Sequence, residues 1–139
     1  MKPSMFVHCC AIVVASLAFE ANAAGPDAAA PLQASMDADG VQRVALVGGS
    51  YFFRPDHIVV QAGQPLEISV KVEPGIVPHS FVLEAADGKS LVEVKLGEQA
   101  QTLRLNLAPG HYIFYCPKRL LGFKSHRERG MSGVLEARE

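Results

Sequence analysis

Short segments in which apolar and polar residues alternate dominate this chain, and turn residues separate them. The clearest segment is residues 66–72, where every even position is apolar, as expected for a strand with one buried face. Turn signals recur about every eight to twelve residues and include Pro74-Gly75, Asp87-Gly88 and Pro109-Gly110. This spacing predicts an all-β fold, a β-sandwich of about seven to nine strands.

The sequence divides into three parts. Residues 1–23 have the features of a signal peptide: Lys2, an apolar stretch over residues 6–19, and Ala21-Asn22-Ala23 as a cleavage signal before Ala24. The apolar stretch is shorter than the roughly 20 residues of a membrane-spanning helix, which favours cleavage over an uncleaved anchor. We therefore expect export to the periplasm and no stable membrane span after cleavage. Residues 24–40 are rich in Ala, Pro and Asp and predict a flexible lead-in, and residues 41–139 form the folded domain.

Cleavage changes the cysteine content. The full chain has Cys9, Cys10 and Cys116, and the mature form would keep only Cys116, so it cannot form an internal disulfide. A free thiol is a liability in an oxidising compartment unless something occupies it. A bound metal ion is the favoured occupant, and a buried inert thiol is the alternative.

Overall charge does not suggest a nucleic acid as the partner. The full chain has 13 basic and 14 acidic residues, giving a net charge of −1. Nucleic-acid-binding domains usually carry a marked excess of basic residues.

Four side chains that can bind a soft metal ion occur in an ordered arrangement. Cys116 ends a predicted strand, His126 follows after nine intervening residues, Met131 precedes the last strand, and His79 lies upstream. Each residue alone has an ordinary structural interpretation. Together, one thiolate, two imidazoles and one thioether are the donor set of a mononuclear blue-copper site. The arrangement predicts one copper ion per chain.

The motifs around these residues resemble those of the cupredoxin family. They are Val77-Pro78-His79-Ser80-Phe81, then Gly110-x-Tyr112-x-Phe114-Tyr115-Cys116, then His126, then Gly130-Met131-x-Gly133. The resemblance covers the chain from Val41 onward. It implies a Greek-key β-sandwich and a type 1 copper site that transfers electrons, with His79, Cys116 and His126 as equatorial ligands and Met131 as the axial ligand. It also implies that an exposed ligand histidine lies within a docking patch.

Two features depart from the usual family pattern. Ser80 stands where an Asn commonly ties the two ligand loops together, although the Ser80 backbone N–H can still reach the Cys116 sulfur. The loop between Cys116 and His126 is longer than in small plastocyanin-like members and is nearer in length to that of the type 1 domains of copper nitrite reductases.

The ligand loop is strongly basic. It carries Lys118, Arg119, Lys124, Arg127 and Arg129 against a single acid, Glu128, and it also contains Leu120-Leu121-Gly122-Phe123. A cationic rim around an apolar centre favours docking of an acidic protein redox partner. An ordinary solvated loop is the alternative.

Three functions are compatible with a copper site in an exported domain. The favoured one is a carrier of single electrons. The second is a periplasmic copper-binding or delivery protein in which the ion is cargo. An enzyme is the least favoured, because four protein ligands leave no open coordination position.

Overall fold

The computed structural model describes residues 29–139, which form two packed β-sheets. The predicted signal peptide, residues 1–23, lies outside the described residues. The strands are β1 Leu32–Gln33, β2 Ser35–Met36, β3 Gln42–Gly49, β4 Phe52–Arg54, β5 His57–Gln61, β6 Pro65–Val72, β7 His79–Ala85, β8 Ser90–Leu96, β9 Gln101–Asn106, β10 Gly110–Tyr115 and β11 Ser132–Arg138. A 3₁₀ turn, Arg127–Arg129, precedes β11.

The chain crosses repeatedly between the two sheets. The larger sheet has the order β1-β5-β11-β10-β7-β8, and the smaller has the order β2-β3-β6-β9 with β4 beside β3. Parallel pairs such as β3–β6 and β5–β11 join antiparallel pairs such as β7–β10 and β10–β11. The chain therefore passes several times from one layer to the other, and this two-layered arrangement confirms the predicted β-sandwich.

Alternation within each strand builds the core. In β6, Leu66, Ile68, Val70 and Val72 are all buried, whereas the intervening residues are exposed or half-buried, because successive side chains of a strand point to opposite faces. The sequence prediction for this strand is thus confirmed.

An aromatic cluster occupies the core beside the ends of β7 and β10. The rings of Phe53, Phe81 and Phe114 lie with centroids 5.7–5.8 Å apart, and all three are buried. His79 is two residues before Phe81, and Cys116 is two residues after Phe114, so each shares a strand face with a ring of the cluster. The packed cluster therefore supports the backbone on which His79 and Cys116 stand.

The structure adds two strands to those expected. The nine strands from β3 to β11 agree with the predicted number of about seven to nine, but β1 and β2 lie in the segment that we expected to be a flexible lead-in. Leu32 pairs with Ile58 of β5, and Ser35 pairs with Arg43 of β3. These strands form by backbone pairing with existing sheet edges, which local composition does not reveal. In residues 29–139, no helix is long and apolar enough to cross a bilayer.

Candidate metal centre

Three of the four predicted ligand side chains converge at one end of the sandwich. His79 opens β7, Cys116 directly follows β10, and His126 lies in the loop before β11. One potential ligand atom from each of these residues lies within 4.8 Å of the others, and all three residues are buried. Residues from two distant parts of the sequence thus form a single group of one sulfur and two imidazole donors.

Backbone hydrogen bonds close the loop between β10 and β11 on itself. The Cys116 N–H donates to the Met131 carbonyl at 3.0 Å, and the Met131 N–H donates to the His126 carbonyl at 2.9 Å. The Arg127 N–H donates to the Cys116 carbonyl at 3.0 Å, and the His126 N–H donates to the Lys118 carbonyl at 2.8 Å. These bonds fix the relative positions of Cys116, His126 and Met131 through the main chain alone.

The sulfur of Cys116 lies in a polar setting within the core. His126 Nδ1 is 3.4 Å from Cys116 Sγ, and the Ser80 backbone N–H donates to Sγ at 3.4 Å. The expectation that the Ser80 N–H reaches the sulfur is confirmed. A hydrogen bond to a thiolate stabilises its negative charge and ties β7 to the ligand loop.

His79 provides the test of whether this group fits a metal ion. Its Nδ1 atom is buried and has no hydrogen-bond partner among the described residues. Leaving a buried polar atom unsatisfied costs about 1–3 kcal/mol, and such atoms are rare in folded proteins. A metal ion bound by Nδ1 would satisfy this atom. The residues present therefore fit a soft transition-metal ion.

The two imidazoles are held in the form that binds metals. Burial, followed by the charge of His126, lowers the pKa of His79 below its usual value. Burial, followed by the charge of Arg129, lowers the pKa of His126. Both rings therefore stay neutral to lower pH than exposed histidines do, and a neutral imidazole is the metal-binding form.

Met131 is fully buried beside the strand that ends at Gly49. A Cβ placed on Gly48 would lie 3.1 Å from the Met131 methyl carbon, so the thioether side chain packs directly against the Gly48 backbone. Its role as the axial ligand stays a prediction.

Neither candidate ligand histidine is exposed, in contrast to the exposed ligand histidine that the family resemblance implies. His126 is 2 % exposed, whereas His79 is 9 % exposed. The Tyr51 ring packs edge-on against His126 with centroids 5.1 Å apart, and the Arg129 guanidinium lies over the Tyr51 ring, 4.4 Å from its centroid. Nothing in the sequence near His126 indicates this cover, because Tyr51 comes from the distant connection between β3 and β4.

The basic loop presents an apolar surface at this end of the molecule. Leu120, Leu121 and Phe123 are 50 %, 88 % and 60 % exposed. Three of the five cations are engaged within the protein: Arg119 pairs with Glu128 at 2.9 Å, Arg127 lies over Tyr115, and Arg129 lies over Tyr51. The Glu128 carboxylate thus offsets the charge of Arg119, whereas the guanidinium groups of Arg127 and Arg129 pack on aromatic rings.

The β-sandwich with this buried His–Cys–His group at one end has the cupredoxin fold. Two copper proteins with that fold are structurally similar to the chain: a reduced auracyanin from Roseiflexus castenholzii (TM-score 0.57, 17 % identity, covering 76 % of this chain and 99 % of the other) and reduced rusticyanin (0.53, 12 %, 76 % and 88 %). The Cu(I)-bound metal-binding domain of the Cu(I)-exporting P-type ATPase of Streptococcus pneumoniae is also similar (0.59, 18 %, 79 % and 97 %). No family model and no curated protein sequence matches the chain.

Proposed function

We propose that this protein carries single electrons through one type 1 copper ion held by His79, Cys116, His126 and Met131. The observation that carries the proposal is the buried group of one thiol and two neutral imidazoles, in which His79 Nδ1 has no partner of its own. Bound copper would supply the Cu(I)/Cu(II) couple, and a ligand set of two histidines, a cysteine and a weak axial methionine is typical of copper that transfers electrons.

The surrounding residues favour fast electron exchange because they hold the ligands in one arrangement. The main-chain bonds among Cys116, His126 and Met131 do not depend on a metal ion. The Ser80 N–H fixes the sulfur, and Tyr51 packs against the His126 ring. A site whose ligands are already in place needs little rearrangement when the charge of the ion changes.

The same geometry argues against an enzymatic role. His79 opens β7, Cys116 and Met131 lie at the two ends of the ligand loop, and His126 is covered by Tyr51, so four protein donors would surround the ion. A catalytic metal site keeps a position open for water or substrate. We therefore propose a protein without catalytic activity of its own.

The ligand loop is the proposed docking surface for a redox partner. Its exposed apolar residues would form the dry centre of the contact, and Lys118, Lys124 and the neighbouring arginines would form a cationic rim. A partner with an acidic face would associate faster at low ionic strength, because opposite charges steer the encounter.

Copper delivery is the second candidate. The structural similarity to a domain of a Cu(I)-exporting ATPase favours it. The carrier role is preferred because both histidines and the cysteine are buried, whereas a cargo site must release its ion readily to an acceptor.

An absorption spectrum tests the copper site directly. The mature protein, loaded with copper and oxidised, should bind one ion per chain and show an intense visible band from thiolate-to-copper charge transfer. Cys116→Ser should lose the band, and Asp87→Asn, at the far end of β7, should keep it. A Cys116→Ser protein that keeps the band would refute the assignment.

Electron exchange distinguishes the two functions. A carrier should be reduced and reoxidised repeatedly by a redox protein without losing copper. A delivery protein should instead lose its copper, and the visible band with it, when mixed with a metal-free acceptor protein.

Export to the periplasm is part of the proposal, and it rests on the signal peptide predicted over residues 1–23. The periplasmic fraction of a bacterial host should contain protein whose measured mass corresponds to a chain beginning at Ala24. Recovery of only full-length chain from the membrane fraction would contradict it.

A further inference from the structure

Two clefts lead from solvent toward the metal centre, one beside each histidine. The cleft beside His126 has a volume of about 160 Å³ and is lined by Tyr51, Leu120, Phe123, Lys124, His126 and Arg129. The cleft beside His79 has a volume of about 240 Å³. Its lining includes Ser50, Glu73, Ile76 and His79.

The cleft beside His126 is unfavourable for a metal cation. Tyr51 packs against the imidazole, and the Arg129 guanidinium lies over the Tyr51 ring. Lys124 adds a second positive charge to the lining, and Leu120 and Phe123 offer no donor atom. Like charges repel an approaching cation, and apolar side chains cannot replace its water ligands.

The cleft beside His79 has the opposite character. The carboxylate in its lining belongs to Glu73, which lies over the backbone at the end of β3. Glu73 Oε2 is 2.8 Å from the position that a Cβ on Gly49 would take. The Glu73 N–H donates to the Gly48 carbonyl at 2.8 Å. Ser50 lines the same cleft, and so does His79, the more exposed of the two histidines. Oxygen donors and a negative charge therefore lead to a metal-binding imidazole.

We propose that the cleft beside His79 is the route by which copper ions reach the metal centre, with Glu73 attracting the cation. This inference rests on the proposed copper function. The carboxylate and Ser50 would exchange with water ligands of the ion before the His79 imidazole binds it. No electron transfer is involved in uptake. The Cys116 thiol releases its proton to solvent as the sulfur binds the ion.

The test follows copper uptake by metal-free protein in a stopped-flow spectrometer. Cupric ion is mixed with the protein at low ionic strength, and the growth of the charge-transfer band gives the uptake rate. A divalent cation about 8 Å from a carboxylate in water is favoured about sixfold by that charge. Glu73→Gln should therefore take up copper about sixfold more slowly. Ser50→Lys, which adds a positive charge to the same cleft, should be slowed at least as much.

The matched control is Asp87→Asn, which removes one exposed carboxylate from the β7–β8 turn at the end of β7 opposite His79. It should take up copper at the wild-type rate. All loaded proteins should reach the same final absorbance and one copper per chain, because the substituted side chains lie outside the ligand set. The difference between Glu73→Gln and wild type should shrink as salt screens the charges.

Two results would overturn the route while leaving the copper site intact. One is equal uptake rates in wild type, Glu73→Gln and Ser50→Lys. The other is markedly faster uptake by Phe123→Ala, which would show that ions pass His126 instead. A wild-type protein that binds no copper would overturn the proposed function, and the route with it.

Discussion

Replacing Gly48 by alanine tests whether the side chains around Gly48, including Met131, are as tightly packed as the structure shows. An added Cβ would lie 3.0 Å from Val72 Cγ1 and 3.1 Å from both Met131 Cε and Phe53 Cε1. Carbon atoms in contact rest about 3.5–4.0 Å apart, so all three neighbours must retreat. All three are buried, which leaves them little space to do so.

The expected loss of stability follows from that crowding. Overpacking of a core costs about 1–3 kcal/mol of stability. Alanine restricts the unfolded chain more than glycine does, and this offsets about 0.5 kcal/mol of that cost. The net loss of about 0.5–2.5 kcal/mol should lower the melting temperature by about 2–10 °C. Displacement of the Met131 side chain should also change the reduction potential of the copper-loaded protein.

Gly97→Ala is the matched control, because a Cβ at that position meets no atom within 4 Å. Its stability should stay within about 0.5 kcal/mol of wild type. Thermal unfolding followed by circular dichroism, together with a redox titration of the loaded proteins, measures both effects. If Gly48→Ala melts and titrates like Gly97→Ala, the packing does not hold Met131 in place, and the reasoning fails.

Three further predictions concern the metal centre and the ligand loop. Met131→Leu should retain copper and raise the reduction potential, because a weak donor to the oxidised ion is lost; complete loss of copper would mean that Met131 is a strong ligand or is needed for the fold. The copper-free protein should lose stability as the pH falls below about 6.5, because the pKa values of His79 and His126 are lowered in the folded chain and the unfolded chain therefore binds more protons. Urea unfolding at pH 7 and pH 5 measures this difference, and equal free energies of unfolding would contradict it. Reversing Lys118, Arg119 and Lys124 to Glu should leave the copper spectrum unchanged and slow electron exchange with an acidic partner; a wild-type exchange rate that does not depend on salt would refute the docking surface.

The predicted parts of the fold are those that local patterns encode. The alternation over residues 66–72 identified a strand and its buried face, because a strand's side chains alternate whatever it packs against. The order of His79, Cys116, His126 and Met131 indicated one site because the last three share a single loop. The structure brings the imidazoles and the sulfur within 4.8 Å of one another.

The parts that were missed depend on contacts between distant segments. Tyr51 covers His126 from the β3–β4 connection, and Glu73 reaches the end of β3 from the segment after β6. Neither residue belongs to a periodic pattern or a motif. The strands β1 and β2 were missed for the same reason, since their partners, β5 and β3, lie later in the chain. Only the assembled sandwich brings these groups together.

The main-chain hydrogen bonds that close the ligand loop allow the tip of the loop to change during evolution independently of the ligand residues. These hydrogen bonds connect Lys118, Cys116, His126 and Met131. None of them involves residues 119–123, which form the tip of the loop. Substitutions or small insertions at that tip would alter the surface offered to a partner without moving the ligands. Descendants of this protein could therefore change the proposed docking surface while the arrangement of the candidate ligands is inherited unchanged.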